Sequence, residues 1–467
     1  MTSNAAPLGT PVGAPPTIGV LGRDWRATVT PWGAVQQWDD LGTLDWFIAA
    51  DDRWYVPADE PTVRQSLVEG TPVVETRVRI PNGDAVMRVF AIADHGGLAV
   101  IEVENDSPMP IAVAFAGVPV LSLRPATDMP IQGIDLPADT VAFPVGHRAT
   151  ITVAIAHDPT TAAAVARQLP ATLATALQVS RGWLGAAERA SRLLLPDTTM
   201  ASCVVRDRCQ LMLDGPPDPA KEPVDFLLAV SELVRMGSVA EAWMPEIVDA
   251  VASLVDHRDD PLLAGALDAA ERVSRAADEQ RAVKDLRKIR PKLLATSGAT
   301  SGVDSGATSA TAVLAMPTSI AGIRDIVALE RSIANGTDLF PAGVPAAWLG
   351  QNFEVYGVPA GPDAEVSFAL RWHGERPAVL WECTGQPVTL TSSGAAPGWR
   401  TTERTGETLW PAPAGAVPLA ADSSADVGSG SEQAGSEQAG SDQAGSDQAG
   451  SDQAGLDTPP AGGVSFS

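Results

Sequence analysis

The fold is decided by three stretches of the chain, Val73-Val-Glu-Thr-Arg-Val-Arg-Ile80, Ala85-Val-Met-Arg-Val-Phe-Ala-Ile92 and Leu98-Ala-Val-Ile-Glu-Val-Glu104. Each stretch alternates apolar and polar residues or is apolar throughout, and each has the length of a single strand. Between them lie Pro81-Asn-Gly-Asp84 and Asp94-His-Gly-Gly97, whose residue types favour tight turns. Short strands joined by such turns predict an antiparallel β-sandwich, with boundaries at residues 17 and 157.

The hydrophobic period changes at Asp158-Pro159, where an N-cap residue is followed by a proline that suits the first turn of a helix. The pattern then predicts helices over about 160–193, 197–213, 222–236, 243–257 and 261–289. We therefore expect an α-helical bundle or a partial α/α toroid over residues 158–295.

The rest of the chain divides by composition. A flexible leader is predicted over residues 1–16, a low-complexity linker over 296–317 and a small C-terminal β-rich domain over 318–410. Residues 411–467 include five copies of Ser-(Glu/Asp)-Gln-Ala-Gly, a sequence that cannot offset the entropy of ordering its backbone. The prediction is a multidomain α+β protein that ends in a disordered acidic tail.

The formal net charge of −25 is shared between the tail and the remainder of the chain. From Pro411 onward there are eight acidic residues and no Lys or Arg, which leaves −17 for the preceding residues. An acidic surface repels phosphate backbones, so we expect no nucleic-acid partner.

The absence of recognisable targeting signals predicts a cytoplasmic location. The N-terminal residues lack the charged and apolar regions of a signal peptide, and no stretch approaches the ~20 apolar residues that would cross a bilayer, so we expect no membrane partner. Three cysteines, Cys203, Cys209 and Cys383, do not form a disulfide framework and favour a reducing compartment. Oligomeric state does not follow from these features.

Familiar cofactor motifs are missing from the sequence. The five histidines show neither the His-x-His nor the His-Glu-x-x-His spacing of metal sites. The sequence also has no Gly-x-Gly-x-x-Gly, P-loop or Gly-x-Ser-x-Gly motif. We predict no metal and no cofactor.

Paired carboxylates are the one catalytic chemistry left open. Cleavage of a glycosidic bond requires two Asp or Glu side chains, about 5–5.5 Å apart for retention or about 6.5–9.5 Å apart for inversion. Glu222, Glu241 and Glu246 are the catalytic candidates, and Trp243 is a candidate for stacking on a sugar ring. For Glu222 and Glu246 the favoured interpretation is that they interact with the positive amino ends of helices, and catalysis is the alternative.

Tryptophan is concentrated near the N-terminus. Five of the twelve tryptophans lie within the first 54 residues, and Trp32 and Trp38 are the candidates for ligand binding. Such crowding indicates either an aromatic core or an aromatic binding platform, and core packing is the favoured interpretation.

The order of sandwich, helices and small β-domain resembles bacterial glycoside hydrolases of the glucoamylase and glycogen-debranching type. The segments that carry the resemblance are Pro31-Trp-Gly-Ala-Val-Gln-Gln-Trp38, Val100-Ile-Glu-Val-Glu-Asn-Asp-Ser-Pro108 and Arg371-Trp-His-Gly-Glu-Arg-Pro377 with Leu380-Trp-Glu382. It implies an N-terminal sandwich joined to a toroid of twelve helices. Twelve helices need well over ~200 residues, whereas about 140 lie between His157 and Thr296.

This shortage of helices shapes the functional expectation. We expect a carbohydrate-related protein of glycosidase-like architecture that has lost catalysis and binds α-glucan or a related sugar through its sandwich. Two alternatives stay open: a structural or interaction scaffold without a sugar ligand, and an active glycoside hydrolase that uses two carboxylates of the helical region.

Overall fold

The computed structural model describes residues 15–38, 41–127, 131–157, 169, 172–295 and 316–413. The chain divides after Leu419 into two compact units, and every described residue belongs to the first. The predicted leader, linker and acidic tail fall almost entirely outside the described residues.

The three stretches that decide the fold form strands as predicted, whereas short strands such as Arg64–Leu67 and Thr405–Leu409 do not follow from an apolar pattern. In chain order the strands are β1 (Thr17–Gly19), β2 (Arg26–Val29), β3 (Val35–Gln36), β4 (Thr43–Ala49), β5 (Trp54–Tyr55), β6 (Arg64–Leu67), β7 (Val74–Ile80), β8 (Gly83–Ile92), β9 (Leu98–Asn105), β10 (Ile111–Ala116), β11 (Leu121–Ser122), β12 (Val141–Val145), β13 (Thr150–Ala156), β14 (Arg192–Leu194), β15 (Ala334–Asn335), β16 (Asp338–Leu339), β17 (Phe353–Pro359), β18 (Ala364–His373), β19 (Arg376–Gly385), β20 (Leu390–Thr391), β21 (Arg400–Thr401) and β22 (Thr405–Leu409).

The described α-helices occupy the middle of the chain. They are α1 (Ala176–Ala187), α2 (Thr198–Asp214), α3 (Pro223–Arg235), α4 (Met244–Ser253), α5 (Leu263–Ala276), α6 (Gln280–Leu294) and α7 (Ile323–Ile333). The predicted α+β class, with several antiparallel sheets, is confirmed.

Two antiparallel sheets share one core in the N-terminal part. The first has the order β1-β2-β3-β4-β10-β12, with β5 paired to β4, and the second has the order β11-β13-β9-β8-β7-β6. Ile18, Val29 and Ile48 from the first sheet pack in one cluster with Met87 and Ile101 from the second. The burial of these two inner faces explains the alternating pattern of β4 and β7.

The near-continuous apolar sequence of β8 and β9 has a second cause. Met87 and Val89 face the core between the sheets, whereas Phe90 and Val100 pack in a separate cluster with Ala176 of α1. Both faces of these strands are therefore largely buried, and charged side chains that remain on them, such as Arg88 and Glu104, pair with each other.

The helices α3 to α6 form a packed layer with its own apolar core. Phe226, Ile247, Leu267 and Leu286, one from each helix, belong to the same buried cluster. The arrangement of these helices as part of an α/α toroid is implied by the resemblance alone and stays a prediction.

The pattern over 261–289 predicts one helix, but the structure has two. Asp278 adopts a left-handed backbone conformation with φ of 54° between α5 and α6. This conformation ends a right-handed helix, and Asp tolerates it better than most residues do.

The C-terminal sheets include residues that come much earlier in the sequence. The third sheet has the order β14-β17-β18-β19-β22, and the small fourth sheet, β15-β16-β20-β21, contains one parallel pair, β16 and β20. Leu193 of β14 pairs with Val355 of β17, although the helical segment separates them in sequence. The core beneath the third sheet also includes Met200 and Val204 of α2. The predicted domain boundaries stay predictions.

Candidate functional site

The three candidate acids lie near helix starts. Glu222 is the exposed N-cap residue of α3, and Glu241 is exposed in the short 3₁₀ turn Ala240–Trp243. Glu246 lies in the first turn of α4, and its Oε2 atom is buried without a hydrogen-bond partner among the described residues. These positions suit carboxylates because the amino end of a helix carries partial positive charge.

The candidate tryptophans have three different environments. Trp32 is 37% exposed, and its carbonyl oxygen accepts a hydrogen bond of 2.9 Å from Trp46 Nε1. Trp243 donates from Nε1 to Ser238 Oγ at 3.0 Å. Trp38 is only 7% exposed and lines an open cleft. The structure therefore brings Trp38, but neither of the other two, to this cleft.

This opening, the aromatic cleft, lies at one end of the two N-terminal sheets and has a volume of about 620 Å³. It is lined by Gly22, Arg23, Asp24, Trp25, Arg26, Trp38, Gly96 and His157. The Trp25 and His157 rings are stacked at 5.1 Å, and the Trp38 ring lies 5.0 Å from Trp25 in an edge-on arrangement. Trp25 Nε1 is buried and has no hydrogen-bond partner among the described residues. The cleft thus combines aromatic rings with exposed Arg23 and Asp24.

A second opening, the charged cavity, lies among α3, α5, α7 and the loop after β17, and it has a volume of about 110 Å³. Its charged lining residues are Glu232, Arg235, Asp268, Arg272, Glu330 and Arg331. Glu222, Glu241 and Glu246 do not line it.

Arg208 supports the charged cavity from beneath. Its side chain is 1% exposed, and it donates from Nε to Glu232 Oε1 at 2.6 Å and from Nη2 to Glu330 Oε1 at 3.0 Å. Its Nη1 donates to the Ser191 carbonyl oxygen at 2.6 Å. One guanidinium thus joins α2, α3, α7 and the residue that precedes β14.

Arg235 completes this network. Its Nη1 donates to Glu232 Oε2 at 2.7 Å and to Glu330 Oε2 at 2.9 Å. Burial alone would raise the pKa of Glu232, but Arg235 and Arg208 outweigh burial and hold that pKa below its usual value. Glu232 is therefore held as a carboxylate that accepts from arginine, which does not suit it for the role of a general acid.

Arg272 and Arg331 complete the positive lining. Arg272 Nη1 donates to Ser231 Oγ at 2.7 Å, and Arg331 Nε donates to Asn335 Oδ1 at 3.1 Å. Among the described residues, neither guanidinium forms an ion pair with a carboxylate. Arg331 Nη1 and Arg235 Nε are buried there without hydrogen-bond partners.

Local sequence offered little to reveal the charged cavity. Glu232 and Arg235 are three residues apart on α3, which is a common surface pairing. Glu330 is 95 residues from Arg235 in sequence and 122 from Arg208. The one available signal was a set of charged residues within otherwise apolar helices, which alone does not identify their partners.

No protein-family model matches the chain, and no curated protein is significantly similar to it. Within the described residues, no group of three His, Cys, Asp or Glu side chains is arranged to hold a metal ion. No helix in the same part of the chain has both the length and the apolar character needed to cross a bilayer.

Proposed function

We propose that the chain is a non-catalytic carbohydrate-binding protein and that the aromatic cleft is its sugar site. The observation that carries this proposal is the lining of the cleft, in which Trp38 and His157 rings lie beside the charged side chains of Arg23 and Asp24. Aromatic rings pack against the C–H faces of a sugar, while charged and polar groups bind its hydroxyls. The resemblance to glucan-cleaving enzymes favours an α-glucan as the ligand.

The size of the cleft is compatible with such a ligand. Its volume of about 620 Å³ falls within the range of about 300–1,000 Å³ that is typical of small-molecule sites. The charged cavity, at about 110 Å³, is too small for an oligosaccharide.

A non-catalytic role is supported by the positions of the candidate acids. Glu222, Glu241 and Glu246 line neither the aromatic cleft nor the charged cavity. On maltooligosaccharides we expect equal background rates from the wild type, Glu241→Gln and Glu246→Gln. Hydrolysis by the wild type that either variant abolishes would contradict the non-catalytic proposal.

The test of sugar binding is a thermal-shift titration with maltose, maltotriose and soluble glucan. We expect a saturable rise in Tm for the wild type and a reduced rise for the double variant Arg23→Ala/Asp24→Ala, because both side chains are exposed at the cleft. Arg281→Ala is the matched control, since the Arg281 side chain is 94% exposed on α6. An unchanged Tm at millimolar concentrations of all three sugars would contradict the proposal.

A structural scaffold is the second candidate, and a specific observation favours it. Trp25 and Trp38 are each 7% exposed and Trp46 is 2% exposed, so these rings contribute mainly to the sandwich core. A scaffold would show no sugar response and would form a defined oligomer. Light scattering after size-exclusion chromatography separates the two candidates when it is combined with the sugar titration.

A further inference from the structure

The charged cavity carries more positive charge than its own carboxylates neutralise. Its three acids are each already paired: Glu232 and Glu330 with both Arg208 and Arg235, and Asp268 with Arg290. Three arginines therefore match three carboxylates. Arg272 and Arg331 remain as two positive charges that face the same small volume.

The groups around these two arginines replace few of the hydrogen bonds that water would make with an exposed guanidinium. Arg272 donates to a hydroxyl oxygen, Ser231 Oγ, and Arg331 donates to an amide oxygen, Asn335 Oδ1. Burial lowers the pKa of both guanidinium groups, and for Arg272 the charge of Arg235 lowers it further. Nearby carboxylates, Asp268 for both arginines and also Glu330 and Glu232 for Arg272, oppose this decrease without outweighing it. The Glu365 carboxylate contributes to the raised pKa of Arg235, but its side chain is exposed to solvent.

A glycine makes room for Arg331 at this position. A Cβ atom on Gly265 of α5 would lie 2.9 Å from Arg331 Nη1. Any side chain at position 265 would reduce the space that the Arg331 guanidinium occupies. The Nη1 atom of Arg331 is a buried donor that has no hydrogen-bond partner among the described residues. Buried donors in proteins are nearly always satisfied, so an unfilled donor beside a cavity indicates a missing acceptor.

We propose that the charged cavity binds a small oxyanion of two negative charges, held by Arg272 and Arg331. Arginine presents a planar fork of donors that matches phosphate and carboxylate oxygens. The volume of about 110 Å³ limits the ligand to a compact molecule, because one water molecule occupies about 30 Å³ in the liquid. Inorganic phosphate and a short dicarboxylate such as malonate satisfy both limits. The site is independent of the aromatic cleft and of its proposed sugar.

The test is a thermal-shift titration of the full chain with inorganic phosphate and, in a separate arm, malonate. Sodium chloride at matched ionic strength controls for general screening. We expect a saturable rise in Tm with at least one of the two anions and none with chloride. A response to phosphate alone or to malonate alone supports the proposal and identifies the oxyanion class. No response to either overturns it.

Two variants distinguish binding from a structural role. Arg272→Gln and Arg331→Gln each remove an uncompensated charge, so we expect the Tm without anion to stay the same or rise. The anion affinity should fall at least roughly tenfold, which is about 1.4 kcal/mol. Arg287→Gln, a partly exposed arginine outside the cavity, is the control that keeps the anion response.

A third variant tests the cavity through its shape. Gly265→Ala keeps every charge but crowds Arg331 Nη1, and we expect it to weaken the anion response measured by calorimetry. Full anion affinity in Arg272→Gln and Arg331→Gln would overturn the proposal, and so would a failure of both to fold, because the unliganded protein would then depend on those charges.

Discussion

At the scale of single residues, Arg208 is a buried cation that two carboxylates share. Its guanidinium bonds to two carboxylates and to the Ser191 carbonyl, and its side chain is almost entirely inaccessible. A buried ion pair contributes little net stability compared with an apolar core, yet the removal of one partner leaves uncompensated charge. The cost of disrupting Arg208 is therefore large.

Arg208→Leu is expected to lower the free energy of unfolding by about 3–5 kcal/mol, because Glu232 and Glu330 both lose a buried cation. Urea denaturation followed by circular dichroism measures this change. Arg287→Ala, which removes an ion pair from a side chain that is 58% exposed, should cost less than about 1 kcal/mol. Equal costs for the two variants would contradict the assignment of a buried network.

Cys209 makes the free energy of unfolding depend on pH in the alkaline range. Burial, opposed weakly by Arg208, raises the pKa of its thiol from 9.0 to about 12. A raised pKa means that the folded state favours the neutral thiol, so this contribution is complete below pH 9 and is lost as pH rises towards 12. Over that range the wild type should lose up to about 1.4 kcal/mol per pH unit more than Cys209→Ala.

Denaturant unfolding of both proteins at several values between pH 8 and pH 11 tests this dependence. Parallel stability curves for the wild type and Cys209→Ala would show that the thiol does not titrate differently on folding.

At the scale of elements, the hairpin of β7 and β8 shows how turn chemistry sets strand register. Ile80 pairs with Gly83 across Pro81 and Asn82, and Asn82 adopts a positive φ of 62°. A Cβ atom on Gly83 would lie 2.1 Å from the Asp106 carbonyl oxygen. Glycine is therefore required at 83 by the close approach of another backbone segment.

Gly83→Ala should destabilise the protein by about 1–3 kcal/mol, because a backbone oxygen cannot move aside as a flexible side chain would. Gly182→Ala is the matched control: Gly182 is exposed in α1, with open space around its Cα, and alanine should stabilise the helix by about 0.5–1 kcal/mol. Thermal denaturation should give Tm shifts of opposite sign, and shifts of the same sign would contradict the packing at Gly83.

The contrast between hairpin and network explains what could be predicted from sequence. Strands such as β7 and the turn through Pro81 and Asn82 depend on neighbouring residues, so the local pattern predicts them, whereas the contact of Gly83 with Asp106 does not follow from local sequence. Trp38 was a candidate from the crowding of tryptophans, but its neighbour His157 lies more than a hundred residues away. The charged cavity depends on contacts such as Arg235 with Glu330, which are 95 residues apart and which the sequence alone does not pair.

At the scale of the whole molecule, the third sheet depends on the last described residues. Trp410 is 1% exposed and packs edge-on against Trp399, whose ring also contacts Trp381. Arg376 donates from Nε to the Trp410 carbonyl oxygen at 2.9 Å. Among the described residues, the stable core therefore extends to Trp410.

Two truncations test this limit. A chain that ends at Pro413 should keep the wild-type Tm, because the deleted residues are the predicted disordered tail. A chain that ends at Thr408 loses Trp410, and we expect a decrease of several degrees in Tm, equivalent to about 3–5 kcal/mol. A large decrease for the first truncation would show that the acidic repeats contribute to folding.

The pairing of β14 with β17 has a consequence for synthesis on the ribosome. Leu194 pairs with Glu354, so its partner is translated 160 residues later. At about 5–20 residues per second, this interval lasts roughly 8–30 s. During that time β14 has no β17 to pair with, and Arg208 of α2 has no Glu330 to bind. The two N-terminal sheets, by contrast, already have all their strands. The nascent chain should therefore acquire its N-terminal sheets first and complete the remainder only after the last strand leaves the exit tunnel.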